Sequence, residues 1–381
     1  MNAITPTHFP WFEYRNYTFS LGLQHGDKVW LSGHSASEFD PESKHIVVRG
    51  GMTDQATTAY AKIAAILEAA GLGFGDVHRV VEYVTATGID HYAEAAEVRA
   101  QTFGTHTPAI CTVVVDRLLR PAAFIEIEVT AGPAGAPVHG GYEADGVVYL
   151  STITAQNPDG SVEAPGDLVA QSRICFERAI AALEGVGLRA SSIVKTLDYT
   201  TRATLGDYKR TGRVRKELLP GPVYPGAAGI LLSRLQHPDV VISLDVIASR
   251  HELEVVNPGW ERYGKLTYSP AVKAGKLLFM SGQAALDPAT EQALFAGDVV
   301  AQAEYTYENI IAVLRAAGLG PEHLLKTIEY VTPDGLARYR DVAKVRERLL
   351  RAPYPASTGA ICEGLLRPEF QIEIDPLAYI P

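Results

Sequence analysis

The feature that most restricts how this 381-residue chain can fold is an internal triplication. An apolar stretch ending in a small polar corner occurs as VWLSGHSA (29–36), VYLSTITA (148–155) and LFMSGQAA (278–285). A helical pattern stopping at glycine follows in AAILEAAGLG, AALEGVGL and AVLRAAGLG, and then a strand in VVEYVTA, KTLDYTT and KTIEYVT. A second helix carries Val98-Arg99, Val214-Arg215 and Val345-Arg346, and a closing strand reads FIEIE (124–128), VVISLD (240–245) and FQIEID (370–375). Ser32 and Ser151 lie 119 residues apart, Ser151 and Ser281 130; Glu126 and Ser243 lie 117 apart, Ser243 and Glu373 130. Landmarks that keep one order and nearly one offset mean repeated units, and this sets the architecture before any local propensity is weighed.

Each unit has ordinary domain size. The expected boundaries are 1–132, 138–250 and 258–381, with loop-like joints at AGPAGAP (131–137) and SRHELEVVNPG (249–259). In the first unit Tyr60, Ile63, Ile66 and Leu67 mark one face of a helix that Gly71 ends, whereas FIEIE alternates with the period of a strand. The expected class is α+β: small sheets, each with two helices on one face. A sheet so covered leaves its other face bare, and three tandem units can bury those faces against one another as a single-chain pseudo-trimer. Whether such rings pair further stays open.

Composition narrows the function. A net charge of −10 and no Lys/Arg stripe argue against a nucleic-acid surface. No apolar run approaches a membrane span and the N-terminus has no secretory pattern, so a cytoplasmic location is expected. Cys111, Cys175 and Cys362 form no C-x-x-C and read as reduced core residues, and the 11 histidines show no metal-ligand spacing. Neither a metal nor a cofactor is expected.

The third unit, from YSPAVKAGKLLFMSGQAALDP through KTIEYVT and RAPYPASTGAI to FQIEID, closely resembles the RidA (YjgF/YER057c/UK114) family of enamine/imine deaminases; the first unit resembles it well and the second more weakly. The resemblance implies a chorismate-mutase-like fold, homotrimeric assembly and small-molecule clefts between adjacent units. It also implies site positions. Tyr268, Ser281, Gly282, Gln283 and Glu373 match in the third unit, and Ser32, Gly33 and Glu126 in the first, where Phe19 replaces the tyrosine and His34 the glutamine. In the second unit His139 stands for tyrosine, Thr152 for glycine and Ser243 for glutamate. The family's carboxylate-binding arginine is Ile110, Ala227 and Ser357 in turn. None of these can grip a carboxylate bidentately, so either the substrate lacks that group or an arginine comes from elsewhere.

Glu126 and Glu373 are the catalytic candidates, since a desolvated strand carboxylate can hold and relay a proton; the plainer reading is an acid that keeps a sheet face soluble. Glu128 and Asp375, two residues on, read as structural. Ser357 and Thr358 are candidate donors where the arginine is missing, His34 and His139 candidate substrate contacts, and backbone amides near Gly33 or Gly282 candidate charge stabilisers. Arg99, Arg215 and Arg346 read as surface salt-bridge partners in preference to anion clamps. Glu82, Asp198 and Glu329 are expected either to line a polar channel at the three-fold axis or to pair between units. The leading function is a cofactor-independent hydrolase or deaminase of a small imine, enamine or related C–N compound. A non-catalytic binding or proteostasis protein is the alternative, and ribonuclease activity is disfavoured by the acidic balance.

Overall fold

A computed structural model describes all of residues 1–381. It contains three mixed sheets, each with helices packed against it. The first sheet runs Asn2–Ala3, Gly22–His25, Lys28–Leu31, Ile125–Ala131, Val77–Thr85, Ala109–Val115 in spatial order. The second runs Ala136–Val138, Gly141–Ala144, Val147–Leu150, Ile242–Ser249, Ile193–Thr201, Gly226–Leu232, and the third Leu253–Val256, Ala271–Ala274, Leu277–Met280, Ile372–Tyr379, Leu324–Val331, Ala356–Ile361. Neighbours are antiparallel except the last pair of each sheet. Those parallel pairs need a crossover, and the helices Tyr92–Phe103, Leu205–Leu218 and Val342–Leu349 supply it.

Both expected joints contain a strand. Ala136–Val138 and Leu253–Val256 pair as edge strands of the sheet that follows each of them. Gly and Pro at 132–137 suggested a loop, but an edge strand needs only one paired side and tolerates Pro137.

The first helices, Met52–Ala69, Leu168–Glu184 and Val299–Ala316, bury the faces read from the sequence; Tyr60, Ile63, Ile66 and Leu67 are all enclosed. Each stops at a left-handed glycine, Gly71, Gly187 and Gly318, with φ of 74°, 75° and 74°, a conformation costly for a residue with a Cβ. Separate helix-side cores form around Ile63, Phe176 and Tyr307. The opposite sheet faces bury one another: Tyr83 and Cys111, Tyr199 and Ile230, and Tyr330 and Cys362 share one cluster drawn from all three sheets.

Two short strands also cross between sheets, Arg117–Leu118 extending the third and Gly364–Leu365 the second. Polar contacts follow the same path. Arg79 pairs with Asp245, Lys195 with Asp375, and Lys326 with Glu128 at 2.7 Å, each cation on one sheet and its acid on another. These six charges line a void of about 70 Å³ where the inner faces meet. Glu82, Asp198 and Glu329 therefore do neither thing expected of them. They are fully buried within their own units, paired with Arg99, Arg215 and Arg346 and with tyrosine hydroxyls such as Tyr60, Tyr208 and Tyr307. The three arginines do form salt bridges, but largely buried ones. The acids facing the neighbouring sheet are instead Glu128, Asp245 and Asp375.

Candidate functional site

Wherever two sheets meet, a polar corner of one sheet docks on the last strand of another by the same pair of bonds. Ser357 N donates to Ser32 Oγ (2.7 Å) and Gly33 N to Ser357 O (3.3 Å). Ala227 N donates to Ser281 Oγ (2.8 Å) and Gly282 N to Ala227 O (3.0 Å). Ile110 N donates to Ser151 Oγ (3.2 Å) and Thr152 N to Ile110 O (3.0 Å). The positions that lack arginine, Ser357, Ala227 and Ile110, are thus the ones that hold each neighbour's corner. The expected use of these amides to stabilise developing charge does not fit, because Gly33 and Gly282 already donate across the seam.

This pairing divides the candidate residues between two places. Tyr268, Ser281, Gly282, Gln283 and Glu373 come together between the second and third sheets; Ser32, Gly33, His34 and Glu126 meet Ser357 and Thr358 between the first and third. Thr358 Oγ1 donates to Glu128 and accepts from Gly33 N (3.0 Å), so it is a structural hub. Ser32 and Ser281 are buried, each also donating to the carbonyl of a residue 12 positions earlier, Ser20 and Ser269, at 2.6 Å. His34 is buried with a ring nitrogen 3.1 Å from Leu21 O, and burial pushes its pKa down to about 3, so the imidazole stays neutral. His139 is exposed in the turn before Gly141–Ala144 and is not gathered with the others.

Glu373 lies on the central strand of the third sheet with its side chain packed against Gly282. A Cβ at Gly282 would stand 2.9 Å from Ala228 Cβ and overlap the Glu373 carboxyl. Burial, reinforced by the neighbouring Asp375, pushes the Glu373 pKa up to about 8; Lys195 and the Gly229 amide oppose the shift. Glu126 is the counterpart against Gly33, with its pKa raised to about 7 by burial and by Glu128. In the second unit the glycine and the acid have changed together. Thr152 occupies the glycine position, its Oγ1 accepting from Thr112 N at 2.7 Å, and Ser243 leaves the room that a glutamate would need.

Beside Glu373 a cavity of about 190 Å³ opens between Trp260, Tyr263, Tyr268 and Phe370 on the third sheet's side and Tyr208, Ala227, Ala228 and Gly229 on the second's. Gln283, Asn309, Arg215, Arg262 and Arg367 add polar groups to its wall.

Three helix residues that the sequence reading missed position these acids. Gln55, Gln171 and Gln302 accept from Phe124 N (2.7 Å), Val241 N (2.8 Å) and Gln371 N (2.7 Å), in each case two residues before Glu126, Ser243 or Glu373. Lys62, Arg178 and Asn309 likewise tie down the carbonyls that follow the corners. Both sets recur at the repeat offset and were available to a closer alignment. So was Trp11-Phe12-Glu13-Tyr14 against Trp260-Glu261-Arg262-Tyr263; just ahead of the first segment Phe9 lies edge-on to His34, and in the second Tyr263 packs against Tyr268.

A family model described as Endoribonuclease L-PSP matches residues 15–134 and 263–380, the stretches that carry Glu126 and Glu373. The chain belongs to this family, the RidA (YjgF) family. Protein DfrA of Myxococcus xanthus is 41% identical over 116 residues, covering 29% of this chain and 83% of that protein. RutC family protein PH0854 of Pyrococcus horikoshii is 36% identical over 113 residues, covering 30% and 85%. Among solved structures, a chorismatase superposes over 80% of this chain and 93% of its own with a TM-score of 0.52 at 15% identity, a likeness of fold. Membership supports small-molecule imine or enamine chemistry, or binding, at the level of the family. No helix is long and apolar enough to cross a membrane.

Proposed function

We propose that the chain is a RidA-type trimer written as one polypeptide, with units 1–132, 138–250 and 258–381, and that it hydrolyses a small imine, enamine or related C–N compound without a cofactor. The working cleft is the one between the second and third units, and Glu373 is its acid. The observation that carries this reading is a carboxyl with its pKa near 8 on the wall of a 190 Å³ cavity. At neutral pH such a group holds a proton that an ordinary glutamate has lost.

The protonated carboxyl can give its proton to an imine nitrogen, or to the β-carbon of an enamine, leaving an iminium. The carboxylate so formed accepts a proton from the water that attacks the iminium carbon. Returning that proton to nitrogen makes the amine a leaving group, and as the C–N bond breaks the hydroxyl proton passes to the carboxylate, giving a carbonyl product, the free amine and the original carboxyl. Positioned proton transfer of this kind is worth about 10²- to 10⁴-fold in rate. The test is carbonyl release from freshly generated imines of several amino acids, compared among wild type, Glu373→Gln and Glu126→Gln. Loss in the Glu373 variant alone supports the assignment; equal rates in all three remove it.

One observation favours the second reading, a binding protein without turnover. The Gly282 amide is spent on Ala227 O and offers nothing to a developing negative charge. Saturable binding of imine analogues, with no carbonyl release from any imine, would select it.

A further inference from the structure

The cleft beside Glu373 contains two ion-paired guanidiniums whose buried Nε–H groups find no hydrogen-bond acceptor, Arg215 being paired with Asp198 and Arg262 with Glu291. Arg262 stands on the turn Glu261–Lys265 with its side chain only 13% exposed and its guanidinium 5.0 Å over the ring of Tyr263. Its buried Nε has no hydrogen-bond partner; the nearest acid, Glu291, is 3.8 Å away and half exposed. Arg215, on the opposite wall, spends Nη1 on Asp198 but also leaves a buried Nε unpartnered. A guanidinium has no lone pair and cannot be neutralised, so an enclosed N–H of this kind needs an acceptor from outside the protein.

The surroundings specify what that acceptor belongs to. Trp260, Tyr268 and Phe370 line the same cavity, which at about 190 Å³ exceeds the ~150 Å³ that admits a benzene ring. The first unit shares the Trp and Tyr of this segment but has Phe12 and Glu13 at the positions of Glu261 and Arg262, with Glu13 exposed and paired with Arg15. An arginine at this position therefore accompanies the seam that has the cavity and is absent from the aligned position of the first unit.

We infer that this seam recognises a small single-ring compound bearing a carboxylate, with Arg262 as the carboxylate clamp and Arg215 Nε as a second donor. The clamp reaches the cleft from the segment leading into the third unit, so Ala227 need not be arginine for an acid to bind. The inference rests on that seam being the working site, and it adds a substrate class.

The experiment is calorimetric titration of the full-length protein with benzoate and with its neutral isostere benzamide. Benzoate is expected to saturate a single site and to bind at least about tenfold more tightly than benzamide. Arg262→Gln should abolish the preference, Arg262→Lys should keep part of it, and circular dichroism should show both variants folded. Equal affinity for the two probes, absence of saturable benzoate binding, or an unchanged preference in Arg262→Gln overturns the inference. Glu373→Gln separates the two readings. If that variant binds benzoate and hydrolyses imines as wild type does, the catalytic assignment falls and the clamp stands. Imine hydrolysis that depends on Glu373 in a wild-type protein indifferent to benzoate removes the clamp alone.

Discussion

Replacing Glu373 with glutamine should stabilise the protein relative to wild type by an amount that grows as pH rises, while removing the proposed proton donor. Burial raises the folded-state pKa from 4.5 to about 8. Below pH 4.5 the carboxyl is protonated whether the chain is folded or not, and the acid carries no penalty. Between pH 4.5 and 8 the unfolded chain loses the proton and the native protein keeps it, so the native state binds more protons and stability falls with rising pH. The slope is about 1.4 kcal/mol per pH unit, which accumulates to about 5 kcal/mol across the window. Glutamine has the same shape, retains an oxygen for the Gly229 amide and does not titrate. The variant-minus-wild-type difference in unfolding free energy should therefore widen by about 3 kcal/mol between pH 5 and 7.5 and level off above pH 8. Guanidinium titrations at half-unit pH steps measure it, and taking the difference cancels the other titrating groups. Parallel pH profiles for the two proteins would show that Glu373 is an ordinary ionised carboxylate and would refute the reasoning.

Gly282→Ala places a methyl group in the space of the Glu373 carboxyl and should lower imine turnover on the order of 10²-fold with the fold retained by circular dichroism. Ser243→Glu alone should lower the melting temperature because Thr152 fills the acid's space, and adding Thr152→Gly should restore it, since the other two units accommodate the acid only beside glycine. Lys195→Met leaves Asp375 buried without its partner and should cost about 3–5 kcal/mol in a denaturant titration. Burial pushes the Cys111 and Cys175 thiols up to about 12 and raises Cys362 further, so a thiol reagent should label none of them in the native protein at pH 8 and all three after denaturation.

The sequence disclosed most of the architecture because repeated burial demands leave repeated patterns. The apolar face of Tyr60, Ile63, Ile66 and Leu67, the left-handed Gly71 and the alternation in FIEIE each report a local constraint. What stayed hidden depends on contacts between units. Ser357 and Glu373 share a repeat, so alignment placed them together, yet Ser357 holds the first unit's corner and Ala227 is the residue facing Glu373's. Glu82, Asp198 and Glu329 occupy equivalent strand positions as axis-facing acids would, but each is claimed by an arginine 17 residues on, in its own crossover helix. Arg262 lay outside the matched landmarks because the second unit has no equivalent of the Trp-x-x-Tyr segment.

Crystals soaked with an unreactive ring carboxylate offer the most direct measurement of where the chemistry resides. Density is expected between the second and third sheets, against Glu373 and Gly282, with the carboxylate on Arg262. Ligand beside Glu126 or in the void between the three inner sheet faces, with the Glu373 cleft empty, would contradict it.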